Sequence, residues 1–223
     1  MLSIIIPTLN AAAELAVVLG GLQDLPFPAE IIIVDGNSSD GTARIAQAFG
    51  VRLVQGPRGR GRQLAAGAEV AAGDWFLFLH ADTRLEVGWA EVARDFIDNP
   101  DRRFYASYFR LALDDDDPAA RRVEDLVAWR CRTLALPYGD QGLLISRAFY
   151  DHLGGYRDLD LMEDVDLARR IGAKRLRPLR ATAMTSAERY RRDGWWLRPA
   201  RNLCCLGLYF LGLPPAWIGK LYR

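Results

Sequence analysis

EIIIVDGNSSDGTARIAQAFG, residues Glu30 to Gly50, decides the fold. Ile31 to Val34 is β-branched throughout, with no polar residue in alternation, so both faces of that strand must be buried. Asp35 and Gly36 stop it. Ser39 or Asp40 can then cap a helix through TARIAQA, and Gly50 stands past its end. The stretch is one strand, one polar loop and one helix.

The same unit recurs on both sides. Upstream, Ser3 to Ile6 is a short apolar strand closed by Pro7, followed by a helical pattern from about Ala11 to Leu22. Downstream, Val51 to Val54 reads as a third strand and Gln63 to Ala72 as a third helix. Asp74 to Leu79 is a fourth strand, with no polar residue after Asp74. Strands that are apolar on both faces and alternate with helices predict an α/β domain with a mixed, mostly parallel sheet flanked by helices. The second half is less regular. Phe104 to Leu113 predicts a longer strand, antiparallel in sense, Pro118 to Leu134 a helix, Gly142 to Ser146 a short strand and Asp164 to Ile171 a helix. Asp114 to Asp117 lacks the alternating ligand spacing of a calcium loop and precedes a proline, so it reads as a solvated turn with an N-cap.

At 223 residues, half of them hydrophobic, the chain can bury a sizeable core as one domain. Its 29 Lys and Arg nearly cancel its 28 Asp and Glu, which gives no reason to expect nucleic acid as a partner. Acidic residues gather at Asp158 to Asp166 and basic ones at Arg58 to Arg62 and Arg189 to Arg201. Three cysteines, two of them adjacent, do not make a disulfide framework. With the N-terminus unlike a signal peptide, the expected location is cytoplasmic.

In an open parallel sheet, ligands bind beyond the carboxyl ends of the strands, where loops and helix N-termini converge. Four polar segments of the sequence fall there: PTLN, DGNSSDGT, GPRGRGRQ and HADT. Asp35 can accept hydrogen bonds from a base or ribose, or be a turn aspartate before Gly36. The arginines of GPRGRGRQ suit a phosphate, or make an ordinary basic loop. Asp82 can hold a hard divalent cation that also binds phosphate oxygens, or cap the turn at Thr83. His80 can ligate or pack. In LDLMEDVDLARR, Glu163, Asp164 and Asp166 can complement the helix dipole or supply a general base.

Taken together, IIIPTLN with Glu14, IIIVDGNSSDGT, GRGRQLAAGAEVAAGDWFLFLHADT and DQGLLISRAFYDHLGGYRDLDLMEDVDLARRI resemble the family-two glycosyltransferases of the GT-A fold, over most of the chain from Leu2 to about Ile171. The resemblance implies a nucleotide-sugar donor, UDP-linked by preference, with Pro7, Thr8, Glu14, Asp35 and Arg62 around the nucleotide. It places HADT where the family has its Asp-X-Asp motif, so that Asp82, with His80 at the first position, would bind Mn²⁺ or Mg²⁺. It makes Asp164 the base and Glu163 its neighbour in a single inverting displacement onto a hydroxyl acceptor, with Asp140 and Gln141 as further donor-sugar or acceptor contacts. The processive members' Gln-X-X-Arg-Trp motif is only echoed in TSAERYRRDGWW, which favours transfer of one sugar. Other readings are a non-catalytic nucleotide-sugar binder, suggested by the missing first aspartate, and a sugar nucleotidyltransferase, against which stands the lack of a glycine-rich loop after the first strand. On this reading, residues 1–100 form the donor half, 101–194 the acceptor half and 195–223 an apolar helical tail.

From Asn202 to Gly219 that tail carries no charge, but Pro214 and Pro215 cut it at about a dozen residues, short of the roughly 20 needed to span a bilayer. Two expectations follow. Either the tail lies on the inner face of the cell membrane, which would favour a lipid or lipid-linked acceptor, or it packs on its own domain or on a second subunit.

Overall fold

A computed structural model describes the backbone of residues 1–159 and 161–222 and the side chains of 1–159 and 161–219. Asp160 of the acidic run, Arg223 and the Tyr222 side chain of the tail lie outside the described residues.

The chain runs β1 (Leu2–Thr8), α1 (Ala12–Gly20), β2 (Ala29–Asp35), α2 (Thr42–Ala48), β3 (Arg52–Gln55), α3 (Arg60–Val70), β4 (Trp75–Phe78), β5 (Thr83–Leu85) and α4 (Trp89–Ile97). It continues with β6 (Ala106–Leu113), α5 (Pro118–Leu134), a 3-10 turn at Gly139–Gln141, β7 (Leu143–Ser146), α6 (Arg147–His152), α7 (Glu163–Ile171) and β8 (Leu176–Thr185). Three helices close it: α8 (Glu188–Asp193), α9 (Leu197–Phe210) and α10 (Pro215–Tyr222).

One eight-stranded sheet has the order β3-β2-β1-β4-β7-β6-β8-β5. The first four strands are parallel, as the runs apolar on both faces demand. Ile5, Val34 and Phe76 face a core covered by Leu64 and Ala68 of α3, whereas Ile4, Ile6, Ile33 and Leu77 face the opposite core under Leu15 and Leu19 of α1. Each such side chain contributes about 1.5–3 kcal/mol by leaving water. Pro7 sits inside β1, a central strand, without loss. β4 ends at Phe78 opposite Ile5, so no partner strand stands on that side of Pro7 to require its amide.

β6 begins two residues later than the pattern predicts. It is antiparallel to β7 only at Ala106 and Ser107 and runs parallel to β8 for most of its length, so the antiparallel expectation holds at one edge alone. β8 lies between β6 and the edge strand β5 and leads into Ser186 and α8, beside the residues that follow β1 and β4. α5 spans the predicted residues, with the Asp117 carboxylate accepting from the Ala119 amide at 2.8 Å and Pro118 in the first turn. The aspartate run is thus a capped turn.

The largest boundary difference is at α3, which starts at Arg60 rather than Gln63. Its first turn is pinned from a distance. A Cβ on Gly61 would lie 3.1 Å from both the Glu163 Cβ and the Arg157 carbonyl, so the glycine lets the start of α3 close on the start of α7.

The tail packs on its own domain. Cys205 and Leu206 of α9 and Ile218 of α10 are buried against Leu136, Met162, Val165 and Ala168. Pro214 separates the two helices, its carbonyl accepting from the Trp217 amide at 2.9 Å. Among the described residues no helix is long and apolar enough to cross a membrane.

Candidate active site

The loops after β1 and β2 are tied to each other before any ligand arrives. The Asn10 amide donates to Ser38 Oγ at 2.8 Å and the Ser39 amide to Asn10 Oδ1 at 2.9 Å. The Ala11 amide donates to Thr42 Oγ1 at 2.9 Å, and Gln63 Nε2 bridges the Thr8 and Val34 carbonyls at 2.8 and 2.7 Å. Asp35 is locked into the same network. Its Oδ1 accepts from Thr8 Oγ1 at 3.0 Å and from Ser38 Oγ, its Oδ2 from the Ser38 amide at 2.9 Å, and the residue is 2 % exposed. Asp35 is therefore a floor beneath the strand ends rather than an open acceptor.

Above this floor lies a cleft of two lobes. One is lined by Pro7, Thr8, Asn10, Glu14, Gly59 and Gln63, the other by Tyr138, Asp140, Glu163, Asp164, Arg198 and Asn202; Arg60, His80, Asp82, Ser186 and Arg189 border both. The structure thus brings Pro7, Thr8, Glu14, His80, Asp82, Asp140, Glu163 and Asp164 together. It leaves Gln141 and Arg62 out. Gln141 turns into the core, its Nε2 donating to the Phe109 carbonyl at 3.0 Å and its Oε1 accepting from Arg130 Nη2 and Cys131 Sγ at 3.2 Å each. Arg62 pairs with Asp158 and donates to the Arg58 carbonyl, lining neither lobe.

Arg60 takes the inward place. Residues two apart on a helix point about 200° from each other, so once α3 starts at residue 60 only one of the two arginines can face the cleft. Arg60 Nε pairs with Glu163 Oε1 at 2.8 Å, and its Nη1 donates to His80 Nε2 at 3.2 Å. His80 is held neutral: burial, then the charges of Arg60 and Arg189, press its pKa well below the usual imidazole range. Its Nε2 lone pair is spent on Arg60. The ring also lies against Gly139, where a Cβ would come within 2.4 Å of Nε2, so that residue 139 has to be glycine for the histidine to fit.

The carboxylates differ sharply in how they are held. Asp164 Oδ2 accepts from the Gly139 amide at 2.9 Å and Oδ1 from the Val165 amide at 2.8 Å, which fixes the group at the start of α7. Just before it, Met162 is in the left-handed region at φ 66°, a costly conformation for a long side chain. Glu163 is buried, which raises its pKa despite Arg60. Asp166 belongs to a structural ion cluster with Arg170 and Arg157. The Thr83 amide is taken by the His80 carbonyl at 3.2 Å, so Asp82 does not cap that turn. Asp140 stands apart: its Oδ1 is buried with no hydrogen-bond partner, and burial, with the nearby charges of Asp164 and Asp82, pushes its pKa up to about 6.

A buried carboxylate oxygen without a donor, beside two more carboxylates, is the donor set of a hard cation. Among the described residues no three His, Cys, Asp or Glu side chains already converge on one point. The fit is therefore to an ion that keeps water and phosphate oxygens in its shell, as Mg²⁺ and Mn²⁺ do.

Comparison with known proteins agrees with this architecture. Staphylococcus aureus TarS, solved in complex with UDP, superposes with a TM-score of 0.64 at 17 % identity, over 99 % of this chain and 69 % of that one. The mannosyltransferase PcManGT from Pyrobaculum calidifontis, solved with GDP-Man and Mn²⁺, gives 0.62 at 17 % identity, over 90 % of this chain and 59 % of that one. These likenesses show a shared GT-A fold. A PGL/p-HBAD biosynthesis glycosyltransferase from Mycobacterium tuberculosis is 40 % identical over 93 residues, covering 38 % of this chain and 36 % of its own length, so the match spans about a third of that relative. The model of glycosyl transferase family 2 matches residues 3–144, well over half of the chain and the whole run of strands that builds the cleft floor. By that match, and with the sheet order and cleft just described, the chain belongs to glycosyl transferase family 2.

Proposed function

We propose that the protein transfers one sugar from a nucleoside-diphosphate sugar, UDP-linked by preference, to a hydroxyl acceptor with inversion. The observation that carries this reading is the unpartnered, buried Asp140 Oδ1 in one cleft with Asp82 and Asp164. The lobe of Pro7, Thr8 and Glu14 takes the nucleoside, and Arg60 turns toward the diphosphate. Asp82 and Asp140 would hold the divalent ion, which supplies positive charge to the leaving diphosphate.

Asp164 is the base. Two backbone amides hold its carboxylate, leaving lone pairs to accept the acceptor's hydroxyl proton. As that proton moves to Asp164, the hydroxyl oxygen bonds to the anomeric carbon, and the carbon–oxygen bond to the diphosphate breaks with its electron pair on the diphosphate. Glu163 takes no proton in this scheme; paired with Arg60, it orients the guanidinium. His80 is a positioning residue for the same guanidinium, not a ligand.

A second reading, a nucleotide-sugar binder without catalysis, draws on one observation: the first position of the metal motif is a histidine whose Nε2 is already occupied. Thermal melting with UDP, GDP and their sugars, with and without Mn²⁺, tests the donor site, because a ligand of the folded state alone must raise the melting point. No shift with any of them overturns both readings. A shift with no sugar transfer, unchanged by Asp164→Asn, leaves the binder.

A further inference from the structure

α9 keeps its few charged and polar residues on its inner side, beside the buried Cys205 and Leu206. Arg198 is buried and, with Asn202, forms a wall of the cleft, while Arg198 and Arg201 both pair with Asp193 at 2.7 and 2.9 Å. Its outward face is apolar. Trp196, Leu197, Leu203 and Leu211, with Trp217 of α10, are each between 60 % and 79 % exposed, and Phe210 is 48 % exposed. No exposed position from Trp196 to Leu211 carries a charge. With the small exposed residues Ala200, Cys204 and Gly207 between them, exposed positions recur every three to four residues from Trp196 to Leu211, so they form one uncharged stripe about 20 Å long.

Charge identifies what covers it. The Arg122 guanidinium stacks over Trp196, 5.9 Å from the ring centre, and the Arg169 guanidinium over Phe210 at 5.1 Å, so a cation stands at each end of the stripe. The sequence has no acidic residue after Asp193, and Asp193 is itself held by Arg192, Arg198 and Arg201. A second copy docked by two-fold symmetry would set this stripe and its arginines against themselves, opposing like charges at both rims. A bilayer with anionic headgroups meets both features at once, with apolar rings and leucines in the acyl boundary and guanidiniums among the phosphates. At fourteen residues, α9 suits a helix lying along the interface rather than one crossing it.

We infer that the outward face of α9, with Trp217, docks the protein on an anionic lipid bilayer. The inner side of the same helix walls the cleft, so cleft and lipid are separated by one helix diameter, about 10 Å.

The test is flotation of the full chain with phosphatidylcholine vesicles containing about a third phosphatidylglycerol, alongside vesicles of phosphatidylcholine alone. The intact protein should rise with the anionic vesicles and much less with the neutral ones. The double variant Leu203→Glu with Leu211→Glu should lose about a hundredfold in partition, at an unchanged melting point, since both side chains already face solvent. Trp196→Ser with Leu197→Ser serves as an independent variant if the first melts early. Failure of the intact chain to float, or equal flotation of a well-folded variant, overturns the inference. So does a dimer in sedimentation that either variant converts to monomer, which would make the stripe a subunit interface. Melting shifts with nucleotide, read without vesicles, report on the donor site separately.

Discussion

Asp35, which ends β2, and Asp140, in the turn that leads into β7, are two carboxylates at the same end of one sheet, and they are treated in opposite ways. Asp35 accepts from Thr8 Oγ1, Ser38 Oγ and the Ser38 amide, and is sealed from solvent. Asp140 has a buried oxygen with nothing aimed at it, and two further carboxylates raising the cost of its charge. A satisfied buried acid stabilises the fold, whereas an unsatisfied one stores a cost that a ligand can remove. The first marks scaffold and the second marks chemistry.

The largest expected effect falls on the chemical side. Asp164→Asn should lower sugar transfer by about a thousandfold, the usual scale for loss of a general base, while the melting shift with UDP persists. Asp35→Ala should instead unfold more easily by about 2–3 kcal/mol, because Thr8, Ser38 and the Ser38 amide lose a buried acceptor; urea titration reads this, and an unchanged midpoint would dissolve the contrast with Asp140. Asp82→Asn should leave unliganded stability near wild type but remove about 2 kcal/mol of the stabilisation that saturating nucleotide and Mn²⁺ provide together.

The smallest effect has the opposite sign. Asp140 has its folded-state pKa raised above the unfolded value, so its favourable contribution is complete below the unfolded pKa near 4 and is lost as pH rises through about 6. Asp140→Asn should therefore raise the metal-free melting point at pH 7.5, and the gain should vanish toward pH 4. Equal melting points at both pH values would mean that the oxygen is not unsatisfied in solution.

Legibility in the sequence follows the range of the interactions. β1 to β4 and α5 were readable because their signals are local: apolar runs, Asp117 with Pro118, glycines past helix ends. The strand-end principle also brought Pro7, Thr8 and Asp82 to one place without any view of side chains, and the family resemblance added Glu14 and Asp164. What escaped depends on contacts far apart in sequence. The start of α3 is set by Gly61 against Glu163, and that offset decides that Arg60 rather than Arg62 faces the cleft. β8, with its mixed apolar and arginine pattern, becomes a strand only between β6 and β5. Arg198 and Asn202 lie in a tail whose composition reads as apolar, and no local pattern shows that its few polar residues are the ones turned inward.

Gly139 and His80 bear on engineering as much as on mechanism. Because a side chain at 139 would collide with the imidazole, and the imidazole holds Arg60, the two positions form an interlocked pair through which substitutions must be made jointly. Restoring an aspartate at residue 80 would not simply recreate a two-carboxylate motif. It would vacate the space over Gly139 and offer Arg60 a charged partner to rival Glu163. Descent from an Asp-X-Asp ancestor would thus have required a rewired arginine, and a redesign in reverse has to begin at Arg60.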